Sequence, residues 1–544
     1  MDYWAKAPES RGQMVLFATR LDEVLEAAHP VRMVDGILAK LDWTEWEAGY
    51  DLTRGQPPIH PRVLAGVILY GLLTRIRSSR ALEEALRVRL DFRWLVEGRT
   101  IDHTTLSEFR KQHPEGLKKL FVQIGLVARE LGHVTLEQLA FDGTRLRASN
   151  RRSGTRKVED LAAARAELAA KFAELQAKVD VQDSTDEGEQ LVGQASANTL
   201  DPATIAKQLA KMTRQLAALD AALAEVERVK EAGETVPKYI PLTDPQARMT
   251  PNKEGGFGPN YTPLATVDVA SGMIVGGDVI AMTDEEHHLV GQVEAVQRDF
   301  GLEAPVPEVL ADTMMLTGAN LHALQERGVT LFAPSKHADP TTNPARRADP
   351  SQPVPANQWN QLPSQTTKHK DGTQTTQLTK DAFVYDQVKD CYWCPHGQAL
   401  QHRTRTRTAT DTLATDTPTR TRYVSEASAC ADCPLRAKCL SAKSQNDHRE
   451  VNRFEHDDLV EAHVQRMATP AAKQKYAARC HRGERPFAHI KHHFGLRSFL
   501  LRGLKKVRLE WTWLMAAFNL RTLLSLIQQA RPGPEPIPPV PAAP

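Results

Sequence analysis

The chain lacks the long apolar stretches that membrane-spanning and secreted proteins carry. No run reaches the roughly eighteen apolar residues that a membrane helix needs. The N-terminal stretch MDYWAKAPESRGQ also has no apolar core of the kind that marks a signal peptide. These absences predict a soluble, intracellular protein with no membrane partner.

Cysteine and net charge are also low. The net charge is +2 over 544 residues, so any affinity for nucleic acid must come from local basic patches. Six cysteines are too few for a disulfide scaffold in a chain of this length. Five of the six lie between Cys391 and Cys439, and this crowding indicates a metal site.

The cysteine spacing defines the candidate ligands of that site. A C-x2-C pair places two thiolates on one tight turn, which suits tetrahedral Zn²⁺. Two such pairs are the predicted ligands of a structural Zn²⁺: Cys391, Cys394, Cys430 and Cys433. Cys439 and His396 remain as alternative ligands.

What the chain does have is one strongly basic stretch, residues 473–508, with Glu484 as its one acid. Lys491 lies two helical turns after Glu484, so both side chains would project from nearly the same helix face. A carboxylate for a divalent metal beside a cation for phosphate suits phosphoryl transfer on DNA. From these residues alone, a solvated basic helix with an incidental Glu is an equally good interpretation.

Residues 1–130 predict a helical N-terminal domain. Pro61 opens one apolar helix, Ser78 caps the next, and Asp102 starts a short polar helix. Short helices with exposed Arg and Thr are compatible with DNA contact, although a plain helical bundle fits them as well.

Two predicted strands end in an acid. A strand over 136–141 leads to Asp142, a β-hairpin follows over 260–282, and a strand over 306–311 leads to Asp312. Arg145 and Arg147 follow the first acid and either face DNA or lie on a solvated strand edge.

Three segments interrupt or follow this series. Residues 150–235, rich in Ala, Glu, Lys and Leu, predict two long helices folded back as a hairpin. Residues 338–385, rich in Pro, Thr, Gln and Asn, predict a loop-like or partly disordered segment. The Pro-rich tail 531–544 is expected to be extended and disordered.

Without the insertions, the order of elements is that of a ribonuclease H-like core. The chain resembles the DDE transposases of bacterial insertion sequences, whose third acid lies in a Tyr-x2-Arg…Glu-x6-Lys signature. Tyr476, Arg479, Glu484 and Lys491 match it in order. FDGT at 141–144, YTPLATVD at 261–268, FLLRGLKKVRLEW at 499–511 and the N-terminal DHTTLSEFR at 102–110 carry the resemblance along the chain.

Two details depart from the signature. Four residues, not the usual three, separate Arg479 from Glu484, which puts the role of Arg479 in doubt. Pro486 follows Glu484 closely, so a helix either begins there or kinks.

The resemblance implies an α/β fold: a ribonuclease H-like catalytic core with a helical N-terminal domain, a helical-hairpin insertion and a zinc-ribbon-like insertion. The implied division is a DNA-binding domain over 1–130, a first core part over 131–335 with the hairpin at 150–235, the cysteine-containing insertion over 336–450, the C-terminal catalytic helix region over 451–530, and the tail 531–544.

The resemblance also implies residue roles. Asp142, Asp312 and Glu484 would be the catalytic acids and would bind two Mg²⁺ ions, with Mn²⁺ as a substitute. The implied DNA-binding residues are Tyr476, Arg479, Arg482, Lys491, Arg497, Arg502 and Lys505.

The implied function is a DNA endonuclease and strand transferase. It would bind terminal inverted repeats, expose a 3′-OH by hydrolysis and join that end to target DNA. A homodimer would hold two ends, and the protein would lie in the bacterial cytoplasm, at the nucleoid when bound to DNA. The alternative is a transposase-derived DNA-binding protein that no longer cuts.

Overall fold

The computed structural model describes residues 20–23, 25–50, 57–151, 154–189, 202–252, 255–369, 372–403, 420–440 and 447–530. The predicted disordered tail 531–544 lies outside these ranges. The fold is mixed α/β. None of the helices within the described ranges is both long and apolar enough to cross a membrane.

Among the described residues, seven α-helices precede the first strand. They are α1 (Pro30–Leu38), α2 (Thr44–Glu47), α3 (Pro61–Leu73), α4 (Ser79–Val88), α5 (Leu90–Leu95), α6 (His103–Phe109) and α7 (Pro114–Glu130). The predicted starts are confirmed: the Ser78 hydroxyl accepts the N–H of Ala81, and the Asp102 carboxylate accepts the N–H groups of Thr104 and Thr105.

The central sheet follows from the period-two segments. Its strands are β1 (Gln138–Gly143), β2 (Leu146–Arg147), β5 (Arg248–Pro251), β6 (Phe257–Asp268), β7 (Ile274–Ile280), β8 (Glu308–Leu310) and β9 (Thr330–Phe332). The two strands between β2 and β5 along the chain, β3 (Thr155–Lys157) and β4 (Tyr239–Pro241), form a separate sheet. Through the second half of β6 the order is β7-β6-β1-β8-β9. The pairs β7–β6 and β6–β1 are antiparallel, whereas β1–β8 and β8–β9 are parallel.

Helices cover this sheet and join it to the N-terminal helices. They are α10 (Leu289–Asp299), α11 (Gly318–Glu326), α14 (Asp457–Ala468), α15 (Pro470–Arg482), α16 (Arg485–His493) and α17 (Leu504–Ala530). On α17, the Trp511 indole donates to the carbonyl of Leu264 at 3.0 Å, and Asn519 exchanges hydrogen bonds with the backbone of Ile274. One hydrophobic core therefore runs from the N-terminal helices through the sheet to α17.

The basic stretch is not one continuous helix. The chain leaves α15 at Gly483, and Glu484 is the N-cap of α16, with Pro486 in its first turn. Proline has no N–H to donate to a preceding turn, so a helix can start at Pro486 but cannot run through it unbroken. Residues 494–503 are also non-helical.

The predicted helical hairpin is present as α8 (Leu161–Glu189) and α9 (Pro202–Glu231). It has a small core of its own, with Leu161, Leu219 and Ile240 among its members. An ion pair between Arg248 on β5 and Glu225 on α9, 2.7 Å long and buried at both ends, fastens the hairpin to the main sheet.

A second sheet, with its flanking turns and helices, contains five of the six cysteines. Its strands, in spatial and chain order, are β12 (Val384–Asp386), β13 (Cys391–Trp393), β14 (Ala399–His402), β15 (Arg420–Ser425) and β16 (Glu450–Phe454), with short helices α12 (Ala427–Ala431) and α13 (Arg436–Cys439) beside it. The segment predicted to be loop-like instead contributes a hairpin, β10 (Ser364–Lys368) with β11 (Gln374–Leu378), and buries Val354, Leu362 and Phe383 in this second core.

Candidate active site

Asp142 and Asp312 lie side by side because of strand register. On β1 and β8, Ala140 pairs with Leu310 in parallel. Two residues further along both strands come Asp142 and Asp312, so the register carries both acids to the same end of the sheet. Asp312 also caps a short turn by accepting the N–H of Met314 at 2.7 Å.

Arg479 joins Glu484 to these acids. Its guanidinium lies 3.1 Å from the Asp142 carboxylate and 3.9 Å from that of Glu484. Arg479 is only 7% exposed, whereas the Glu484 side chain is 62% exposed. Because the chain breaks between α15 and α16, Arg479 on α15 can point inward while Glu484, at the start of α16, lies near the same acids. The structure thus brings all three predicted acids into one group.

The charges of this group are poorly balanced. Burial raises the pKa of Asp142, the Arg479 guanidinium opposes that rise, and Glu484 and Asp312 add to it. Mutual repulsion of this kind favours a bound cation. Within the described ranges, however, no group of three or more His, Cys, Asp or Glu side chains is arranged to hold a metal ion. The acids are neighbours, but they do not yet converge on one point.

A fourth acid, Glu285, was not predicted from the sequence. It begins a 3-10 turn over Glu285–His288, after β7, and its carboxylate lies against Gly143 so closely that a Cβ on that glycine would overlap it. Burial, followed by the charges of Asp142 and Asp312, raises the pKa of Glu285 to about 7. The sequence feature that could have pointed to Glu285 is the acidic run Asp284–Glu286, shortly after a strand.

A basic groove begins beside the acids. Lys491 donates to the Thr144 hydroxyl at 2.6 Å, two residues after Asp142. Two adjoining hollows share Arg147 and Asn252, and no acid is found among the described residues that line them. The cations lining these two hollows are Arg145, Arg147, Arg151, Lys491, Arg497 and Arg502. We call this surface the basic groove.

Four of the predicted DNA-binding residues lie elsewhere. Arg479 is buried against the acids, and the Tyr476 hydroxyl accepts a 3.5 Å hydrogen bond from it. Arg482 approaches Gly272 in the β6–β7 turn, which adjoins the start of β1, whereas Asp142 lies near the end of that strand. Lys505 is exposed near the start of α17, outside the residues that line the groove. Of the seven, the groove includes Lys491, Arg497 and Arg502.

The structure groups the cysteines differently from the prediction. Cys394, Cys430, Cys433 and Cys439 line one small cavity together with His396. Burial raises the pKa of the Cys439 thiol to about 12, and the other three thiols add to the effect. The Gln398 N–H donates to the Cys394 sulfur at 3.3 Å.

Cys391 is not in this group. It is buried on β13, and the charges that act on its thiol are those of Asp386, Lys389 and Asp390. Side chains alternate along a strand, so Cys391 and its neighbour Tyr392 point to opposite faces of β13, and Tyr392 is the one that belongs to the core against which Cys394 packs. A C-x2-C spacing suits two thiols on one turn, but here Cys391 lies on β13 and Cys394 follows it, and only Cys394 lines the cavity.

Comparison with known families covers two parts of the chain. The family model of a transposase DDE domain matches residues 366–524, which include Glu484, Lys491 and the cysteine group. The model of a transposase domain (DUF772) matches residues 19–112, from the N-terminal segment through α6. Asp142 and Asp312 lie outside both matches. No curated protein matches the chain. Taken together, the two family matches support a DDE transposase.

Proposed function

We propose that the protein is a DNA transposase that cleaves DNA to expose a 3′-OH and transfers this end to target DNA. The observation that carries the proposal is that Asp142, Asp312 and Glu484 are neighbours beside the basic groove. The two family matches support the same function. The strand order β7-β6-β1-β8-β9 supports a ribonuclease H-like core.

The acid group suits divalent metal because clustered carboxylates repel one another and offer the hard oxygen ligands that Mg²⁺ prefers. Asp142, Asp312 and Glu484 would hold two Mg²⁺ ions, or Mn²⁺, which when bound activate water and the 3′-OH for attack on a phosphodiester. Arg479 contacts Asp142 at 3.1 Å and lies within 3.9 Å of Glu484, so it would orient chiefly Asp142. Its buried position makes it a positioning residue and not a contact to the DNA backbone.

The basic groove would bind the DNA backbone and lead it to the acids. Arginine guanidiniums and the Lys491 ammonium are suited to phosphate oxygens, and a row of cations without acids favours a polyanion. The N-terminal helices would bind the terminal inverted repeats, and a homodimer would hold the two ends. The protein would act in the cytoplasm, at the nucleoid.

Cleavage of DNA carrying the element's own ends tests this function. We expect Mg²⁺-dependent cutting that leaves a 3′-OH and disappears in Glu484→Ala, with end binding retained. Glu303→Ala is the matched control, because Glu303 is an exposed acid in a loop. Undiminished cutting by Glu484→Ala would refute the assignment of the third acid. Specific binding without cutting by the native protein would favour the silent DNA-binding alternative.

We also propose a structural Zn²⁺ held by Cys394, Cys430, Cys433 and Cys439. The shared cavity and the mutual influence of the four thiols support this set. His396 remains the alternative fourth ligand, because its Nδ1 is buried and has no hydrogen-bond partner among the described residues.

Zinc content of the purified chain tests the ligand set. We expect about one zinc per chain in the native protein and in Cys391→Ser, and a loss of zinc in Cys439→Ser. Equal zinc in both variants would exclude Cys439, and loss in Cys391→Ser alone would restore the predicted set.

A further inference from the structure

A further hollow adjoins the basic groove and extends it onto the α8–α9 hairpin. It shares Arg151, Thr243 and Arg502 with the groove. Its walls include one face of each helix of the hairpin, within residues 164–171 of α8 and residues 211–221 of α9. We call this surface the hairpin hollow. Because the groove itself begins beside the acids, one continuous surface leads from the acids to the hairpin.

The hairpin hollow carries an excess of positive charge. Among the described residues that line it, the single acid is Glu167, whose carboxylate pairs with Lys171 at 2.6 Å. Exposed cations elsewhere on the hairpin, such as Lys178 and Lys230, also pair with an acid in the adjoining turn. Five further cations line the hollow and form no ion pair within the described part of the chain: Arg151, Arg156, Lys211, Arg214 and Arg502. Unpaired positive charge is thus concentrated where the hairpin continues the groove.

The attachment of the hairpin fixes these cations relative to the groove. The buried ion pair between Arg248 and Glu225 ties α9 to β5, and β5 pairs with the first half of β6 in the main sheet. Lys211 and Arg214 lie one turn apart on α9, so their side chains project from the same face of that helix. Cations that are already positioned and have no acidic partner favour a polyanion, because little order is lost when it binds.

We propose that the hairpin hollow binds the backbone of the same DNA duplex that the basic groove holds, at a point farther from the cut. This inference rests on the proposed function, because the groove must hold DNA for the hairpin to bind the same duplex. The hollow extends over about 10–15 Å along the two helices, at about 1.5 Å per residue. At about 3.4 Å per base pair, this length corresponds to about three or four base pairs of DNA.

The salt dependence of DNA binding tests the proposal. It is measured by fluorescence anisotropy with the full-length protein and a duplex that carries the element's own end. The double variant Lys211→Gln/Arg214→Gln should bind this duplex about tenfold more weakly at physiological salt and should reduce the slope of log affinity against log salt by about two. Lys178→Gln/Lys230→Gln removes the same charge from the hairpin outside the hollow, so this control should match the native protein.

Hydroxyl-radical footprinting adds the position of the contact. The native protein should protect about three or four base pairs, on the side away from the cut, that Lys211→Gln/Arg214→Gln leaves open. Equal salt slopes for the two double variants, with cleavage by the native protein intact, would overturn the hairpin surface alone. A reduced slope in Lys211→Gln/Arg214→Gln, with no cleavage by the native protein, would refute the proposed chemistry and support the hairpin surface.

Two further results complete the test. Native-like DNA binding by Lys211→Gln/Arg214→Gln, together with a loss of self-association in analytical ultracentrifugation, would assign the hollow to a second copy of the chain and refute DNA binding there. If this double variant melts early, Arg156→Gln removes one cation from β3 without changing a helix and should reduce the salt slope by about one. An unchanged slope in Arg156→Gln would then refute the proposal.

Discussion

Replacing Arg479 should most clearly reveal the repulsion among the carboxylates of the acid group. Replacement by Met keeps much of the apolar stem and removes the charge 3.1 Å from Asp142. Breaking a buried ion pair costs about 3–5 kcal/mol. The pair with Glu484 adds little, because it spans 3.9 Å and Glu484 is mostly exposed.

One further contribution to the free energy of unfolding of Arg479→Met has the opposite sign. The Arg479 Nε is buried and has no hydrogen-bond partner among the described residues. Removing such an unsatisfied donor stabilises the fold by about 1–2 kcal/mol and offsets part of the loss. We therefore expect Arg479→Met to lower the free energy of unfolding by about 2–3 kcal/mol.

Urea unfolding at pH 8 with a chelator measures this loss. Arg482→Met, on the same helix, is the control and should change the free energy of unfolding by less than about 0.5 kcal/mol. The loss in Arg479→Met should shrink at lower pH, because a protonated Asp142 no longer needs a cation. It should also shrink when Mg²⁺ replaces the chelator. Equal stability of the two variants at pH 8 would refute the positioning role.

Three further predictions concern other contacts. Gly143→Ala should displace the Glu285 carboxylate, disturb the neighbouring Asp142 and so weaken Mn²⁺ binding in calorimetry, whereas Gly291→Ala, at a position with open space, should not. The pKa of Glu285 is raised from 4.5 to about 7, so between these pH values the folded state keeps a proton that the unfolded chain has released. The metal-free protein should therefore lose stability as the pH rises from 4.5 to about 7. Urea unfolding should show a loss on the order of 2 kcal/mol, and Glu285→Gln should remove this pH dependence. Glu225→Gln should leave the Arg248 guanidinium buried with a weaker partner, so limited proteolysis should release the α8–α9 hairpin faster than in Glu227→Gln, where the acid is exposed.

Short sequence patterns were sufficient to predict much of this fold. The caps at Ser78 and Asp102 and the Ala-rich helical hairpin were predicted from short stretches, because each depends on neighbours within a few residues. Asp142 and Asp312 were singled out because each follows a strand. Their proximity required the strand order, which came from the resemblance and not from their own sequence context.

The missed features depend on contacts that no short stretch contains. Glu285 lies in a polar turn, and its position beside the acids appears only when β7 brings that turn to Gly143. Cys391 shares a C-x2-C spacing with Cys394, but Cys391 lies on β13 and only Cys394, after the strand, lines the cavity with the other thiols. Residues 338–385 are polar in composition, yet single apolar residues such as Val354 and Phe383 are enough to anchor them in the second core.

The wide separation of the acids along the chain ties the assembly of the site to the end of synthesis. Asp142 leaves the ribosome long before Glu484, and at about 5–20 residues per second the interval is tens of seconds. The helix that completes the shared core, α17, is made later still. A nascent or prematurely terminated chain therefore carries the first acid without the last one. On the proposed function, such a chain has no means to cut DNA, so nuclease activity arises only in a polypeptide that has been translated past α16.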